Sequence, residues 1–141
     1  MNQIKFIYFA LILMVGISMT SCKKDNPSPI TKTEILTSTP WKYSSATYTG
    51  TGFDSIYGAA MDLLYGGTTI NFASDKTYTM VYAGGTISDT WSFNADETMI
   101  TINNTDGNGG SWVGTINVLN DTDFKFTQAL GAGSVQYAFI K

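Results

Sequence analysis

The sequence predicts an all-β domain: eight antiparallel strands in up-and-down order, closing into a barrel, with one short helix between the first two strands. Three observations carry this. The chain is rich in Thr, Gly and aromatic residues, with 14 Gly, 8 Tyr and 8 Phe, and these residue types favour strands and turns. From residue 68 onward apolar residues recur at every second position, the period of a half-buried strand. Clusters of Asn, Asp, Ser and Gly break that alternation at short intervals, as hairpin turns do. Sequential hairpins with one apolar face each form a meander, and eight such strands can close and remove their edges. A two-sheet sandwich is the alternative use of the same strands.

The chain begins with Lys5 followed by an apolar run, Phe6 to Ile17. A run of about a dozen residues is the length of a secretory h-region and short of the ~20 needed to span a bilayer. Met19-Thr20-Ser21-Cys22 resembles a bacterial lipobox, with Met19 where Leu is usual. The resemblance implies cleavage after residue 21, a thioether-linked diacylglycerol on Cys22 and further acylation of the palmitate type. The expected partner is then the membrane, and the expected location the cell envelope, lipid-anchored at the outer membrane on its periplasmic or surface side. Cys22 is the one cysteine of the chain. Once lipidated, it leaves no thiol for disulfides, metal ligation or nucleophilic catalysis.

Residues 22–33 hold Pro27, Pro29 and mostly polar neighbours, which reads as the lipidated N-terminus and a flexible tether; residues 34–141 form the domain. Residues 33–39 suggest one helical turn, capped by Thr33, with Ile35 and Leu36 facing the fold. Trp41 to Thr49 is the first strand. Asp54 to Tyr65 is the helix, with Asp54 as N-cap, Gly66 as stop and Ile56, Ala60, Leu63 and Leu64 at helical spacing on one side. The remaining strands centre on Ile70 and Phe72; Tyr78, Met80 and Tyr82; Ile87, Trp91 and Phe93; Ile100 and Ile102; Trp112 to Leu119; Phe124 and Phe126; and Val135, Tyr137 and Phe139.

Pieces of this pattern are similar to a family of small bacterial lipocalin-like lipoproteins. They are the lipobox and linker, the early Trp41-Lys42-Tyr43, the central Ile70-Asn71-Phe72-Ala73-Ser74-Asp75-Lys76-Thr77-Tyr78, Trp91-Ser92-Phe93 with Asp96 to Ile102, and Ile116 to Leu119 with Asp121 to Phe126. Pro40 stands where the family has Gly, and the paired cysteines of many relatives are missing. The resemblance implies a lipocalin-type barrel and carries over no catalytic residue.

Charge and composition narrow the chemistry. Loss of residues 1–21 removes Lys5 and leaves seven lysines against eleven acids, with no Arg and no His anywhere. A mildly acidic domain without a basic patch argues against nucleic acid. The commonest general base and metal ligand is absent, so no enzyme, no cofactor and no metal site are expected. Asn104 to Gly109 only faintly resembles a calcium loop, lacking the further ligands and terminal Glu. Asp75, Asp96, Glu97, Asp106, Asp121 and Asp123 sit in predicted turns, where acids accept local backbone hydrogen bonds.

A barrel of eight strands is just wide enough to fill with side chains or to hold one small ligand. Candidate ligand-lining residues are Tyr43, Phe72, Tyr78, Met80, Trp91, Phe93, Phe124, Phe126 and Tyr137, each also readable as packed core. The expected function is a non-catalytic, monomeric binding module for a small apolar or amphipathic molecule. The second reading is a structural or interaction lipoprotein with a filled barrel, meeting a protein, an inhibited enzyme or a glycan through exposed aromatics such as Tyr48, Tyr57, Tyr65 or Trp112.

Overall fold

The computed structural model describes residues 28–50, 55–105 and 110–141. Cys22, the lipobox, Asp54 and residues 106–109 of the glycine-rich loop lie outside them. The elements are α1 (Lys32–Thr37), β1 (Trp41–Gly50), α2 (Ser55–Tyr65), β2 (Thr69–Phe72), β3 (Thr77–Tyr82), β4 (Gly85–Phe93), β5 (Met99–Ile102), β6 (Trp112–Leu119), β7 (Asp123–Leu130) and β8 (Gly133–Ile140). The strands form a closed barrel in chain order, each antiparallel to its neighbours, with β8 returning to β1. A barrel and not a sandwich is therefore formed. Neither described helix is long and apolar enough to cross a membrane.

Strand alternation does the sorting. In β3 Tyr78 and Met80 are buried while Thr77, Thr79 and Val81 are exposed, and β7 and β8 bury Phe124, Phe126, Val135, Tyr137 and Phe139 in the same way. Gly114 occupies an inner position of β6; a Cβ there would lie 2.5 Å from the Phe126 ring. Glycine at this point makes room for the phenylalanine beside it.

The turn acids act locally. Asp75 accepts from the backbone and hydroxyl of Thr77, and Asp96 does the same for Thr98. In each turn the residue between acid and Thr is left-handed: Lys76 at φ 70° and Glu97 at φ 53°.

Helix α1 closes the mouth where β1 begins. Its cap is Thr31, not Thr33. Thr31 Oγ1 accepts from the Glu34 amide at 3.1 Å and the Glu34 carboxylate accepts from the Thr31 amide at 2.7 Å, a reciprocal capping box that needs Glu three residues after the cap. Thr33 lies inside the helix, where its carbonyl accepts from Thr37 Oγ1. Leu36 is 0% exposed, and its carbonyl accepts from Trp41 Nε1 at 2.8 Å. Three lysines fasten this mouth: Lys32 donates to the Glu97 carbonyl, Lys76 to Thr33 Oγ1 and Lys141 to Ser38 Oγ.

Helix α2 is present, and the apolar side read from its spacing is not the side it turns to the barrel. Ala60 is exposed, Leu63 is 85% exposed and Leu64 48%, while Gly58, Met61 and Tyr65 are the half-buried positions. The reason is the seam it covers. Only Trp41 and Lys42 of β1 are in ladder register with β2, so the rest of this edge of β1 is faced by the helix. A Cβ on Gly58 would lie 3.9 Å from the Ala46 carbonyl, and Asp62 accepts from the Ala46 amide. The helix stop also shifts by one residue: the left-handed glycine is Gly67, at φ 81°.

Candidate functional site

The barrel interior divides into two unlike halves. Toward α1 it is solid. Trp41, Ile70, Phe72, Tyr78, Trp91, Ile100, Phe124, Phe126 and Phe139 are all at most 2% exposed. Their rings interlock: Phe72 meets Trp91 edge-on at 5.7 Å, and Phe124 stacks on Phe126 at 5.3 Å. Aromatic pairs in such geometries favour offset or edge contacts.

Toward the other mouth the inward-facing positions are mixed: Thr68, Ile102, Val135 and Tyr137 are buried, while others keep contact with solvent. Tyr43 and Tyr48 on β1, Tyr82 on β3, Ile87 and Asp89 on β4, Trp112 on β6, and Gln128 and Leu130 on β7 are each half-buried. Tyr65 enters from α2 and meets Tyr43 at 6.0 Å, Trp112 at 5.7 Å and Tyr137 at 6.4 Å. Trp112 and Tyr137 stack in parallel planes at 5.4 Å. Half-exposed side chains that point into the barrel make this the less tightly closed of its two ends.

Polar groups stand at its wall. The Tyr43 hydroxyl donates to Asp62 at 2.6 Å; burial first, then this bond and the Asp62 charge, raise its pKa. Tyr78 Oη donates to the Asn103 carbonyl, and burial, with the Asp89 charge second, pushes its pKa up to about 12. Asp89 is held at about 2 by hydrogen bonds from Thr105 Oγ1, the Thr105 amide and the Thr90 amide. Thr68 shares the inner parity of Ile70 and Phe72, is 1% exposed, and its hydroxyl has no hydrogen-bond partner. It lies beside Tyr43, whose amide donates to its carbonyl at 2.8 Å.

The nine residues proposed as ligand-lining do not converge on one place. Phe72, Tyr78, Trp91, Phe124 and Phe126 belong to the solid half. Phe93 is half-buried at the α1 mouth, where Lys76 Nζ stands 5.7 Å from its ring and 4.0 Å from that of Trp91. Met80 is 4% exposed. Tyr43 and Tyr137 join the aromatic cluster under α2. Trp112, Tyr48 and Tyr65, read from sequence as a surface patch, instead line this end of the interior. The Trp112-Gly114-Ile116 alternation was the signal that places Trp112 inside.

A second concavity of about 260 Å³ lies on the β3–β4 hairpin, lined by Thr77, Tyr78, Thr79, Ser88, Asp89 and Thr90. Four of those six residues are Thr or Ser on an open strand surface, so it is a wet groove and not an enclosed site. Among the described residues no group of three or more acidic or thiol side chains gathers as for a metal.

No family model matches the chain, and a search of curated proteins returns no match. Among solved structures the fold is similar to the crystal structure of a DUF4847 family protein from Bacteroides vulgatus ATCC 8482, with a TM-score of 0.51 and 16% identity over 74% of this chain and 94% of that one. At that identity the likeness is one of fold: an eight-stranded barrel that the two chains share.

Proposed function

We propose that this protein is an envelope-tethered, non-catalytic binding module that holds a small apolar or amphipathic molecule in the cup opposite α1. One observation carries the reading: the half-exposed inward-facing side chains, Tyr43, Tyr48, Tyr82, Ile87, Trp112 and Leu130 among them, gather toward the mouth opposite α1. Ligand sites are concave and mostly apolar, with few polar groups to orient the guest, and the half-buried Tyr43, Tyr65, Trp112 and Leu130 fit that description. The test is titration of the full chain with the neutral dye Nile red, alongside native mass spectrometry of protein from its own cells. Saturable binding at one dye per chain, lost on Ile87→Trp, is expected. No dye binding and no co-purifying molecule would sink the reading.

The tether is part of the same proposal. The Met19-to-Cys22 spacing supports lipidation at Cys22 and a lipocalin-like lipoprotein held at the membrane. Metabolic labelling with an alkyne fatty acid checks it: label on the native chain and none on Cys22→Ser is expected.

A second reading, an interaction lipoprotein, is favoured by one feature, the exposed Leu63 and Leu64 of α2. A protein partner captured by the native chain and lost on Leu63→Lys, with Nile red binding unchanged, would support it.

A further inference from the structure

We infer that the outward side of α2 lies against the lipid bilayer, so that the domain rests on the membrane by this helix as well as hanging from its tether. The inference rests on the tether reading above, with Cys22 lipidated, and adds which surface of the domain meets the lipid.

The helix carries apolar residues on opposite sides. Gly58, Met61 and Tyr65 are its half-buried positions, and the Tyr65 ring packs against Tyr43 and Trp112 of the barrel. Ala59, Ala60, Leu63 and Leu64 are spaced i, i+1, i+4 and i+5, one continuous side of a helix, and all of them are exposed, Leu63 by 85%. A helix apolar on both sides is at home between two apolar surroundings, and the barrel is only one. The outward side is also free of charge. Asp62 is the single charged residue of Ser55–Tyr65, and its Oδ1 accepts from β1, at the Tyr43 hydroxyl and the Ala46 amide. Leu63 and Leu64 can leave water without taking an ion along, which would be costly.

Size and reach select the bilayer over a protein. A stable protein interface takes roughly 20–30 residues a side, far more than the short outward side of α2 supplies. A bilayer sets no such minimum for a chain already held at it, because a tether raises the local concentration of a second contact to roughly the millimolar range. Thr31, the cap of α1, is nine residues beyond Cys22, a stretch of up to about 30 Å. Helix α1 is bonded to Trp41 through the Leu36 carbonyl, and α2 to Tyr43 and Ala46. The strand from Trp41 to Ala46 spans only about 17 Å, so α2 lies within reach of the surface that holds the tether. With no lysine in α2, the contact needs no anionic lipid and is insensitive to salt.

The experiment uses the full chain as Leu63→Cys and, separately, as Thr115→Cys, on the exposed side of β6. Both positions are exposed, so neither change disturbs the core. Each chain is purified from the protein's own cells, labelled with the thiol-reactive dye NBD and reconstituted in phosphatidylcholine vesicles. Mass spectrometry counts the dye. One per chain means that Cys22 is blocked; two means that the tether reading has failed, and this inference with it. With one dye per chain, NBD at 63 is expected to emit at shorter wavelength than NBD at 115 and to lose intensity to lipids carrying a nitroxide on the acyl chain, at low and high salt alike. Equal emission at the two sites with no loss to nitroxide overturns the bilayer contact and leaves the tether standing. A shift at 63 that escapes the nitroxide and grows with protein density identifies a second copy as the cover, and one that appears only with envelope extract identifies another protein; either result overturns the inference. The cup is judged apart from all of these, by Nile red titration without vesicles.

Discussion

The Tyr43 hydroxyl donates to Asp62 across 2.6 Å, and the same carboxylate oxygen accepts from the Ala46 amide at 3.3 Å. One side chain of α2 is thereby bonded to two residues of β1 along an edge that no strand covers. Tyr43→Phe removes the hydroxyl and keeps the ring. We expect a loss of about 1 kcal/mol, the usual worth of such a bond, and faster amide exchange in α2 than in β7 or β8. Unchanged exchange in α2 would show that the bond does not hold the helix.

Gly114 tests how tightly the interior is filled. An alanine methyl there would meet the Phe126 ring at 2.5 Å and the Thr127 carbonyl at 3.0 Å. Overpacking of this kind costs about 1–3 kcal/mol, so Gly114→Ala should lower the urea midpoint accordingly. Thr115→Ala, on the exposed side of the same strand, serves as the control and should change little.

The two left-handed turn residues make a matched pair with different outcomes. Glu97→Gly relieves an unfavourable φ and should stabilise by up to about 1 kcal/mol after the extra chain entropy of glycine. Lys76→Gly relieves the same strain but loses the ammonium over Trp91, a contact of about 0.5–1 kcal/mol at an exposed site. It should be neutral or destabilising. Thermal melts of the two variants side by side check the sign of the difference.

The perturbed groups set the pH limits of stability. The raised pKa of Tyr78, at about 12, means that the fold favours its neutral form. Its contribution is full below the ordinary tyrosine value near 10 and is lost as pH rises toward about 12. Asp89 works in the opposite direction. Its carboxylate is held at about 2, so its contribution is full above the ordinary value near 4 and is lost as pH falls toward 2. Urea midpoints against pH should therefore drop at both ends, and Tyr78→Phe should flatten the alkaline limb.

Most of the strands were legible because alternation is a local property. Ile70 and Phe72, Tyr78 and Met80, or Phe124 and Phe126 declare an inner face without any knowledge of their partners. Turn acids such as Asp75 and Asp96 were legible for the same reason, since their bonds reach only two residues ahead. The orientation of α2 was not. Apolar residues occur on more than one side of Ser55–Tyr65, so spacing alone cannot choose between the Ala60-Leu63-Leu64 side and the Met61-Tyr65 side. The choice is made by the unpaired edge of β1, which is distant in sequence. The division of the interior was hidden too. Among the described residues the fourteen buried apolar ones and the half-exposed ones look alike in sequence, and only strand lengths and register decide which lie toward the mouth opposite α1.

The seam between β1 and β2 gives the barrel a property that a uniform ring of strands lacks. Just two positions are in ladder register there, Trp41 with Ile70 and Lys42 with Thr69, while β1 and β8 are matched along nearly the whole of β1. Beyond those two positions the wall is a helix held by side chains. A stave is fixed rung by rung through its backbone; this stretch of wall is fixed instead by the Asp62 carboxylate, which takes the Tyr43 hydroxyl and the Ala46 amide. One edge of β1 is thus closed by main-chain pairing and the other by the bonds of a single side chain.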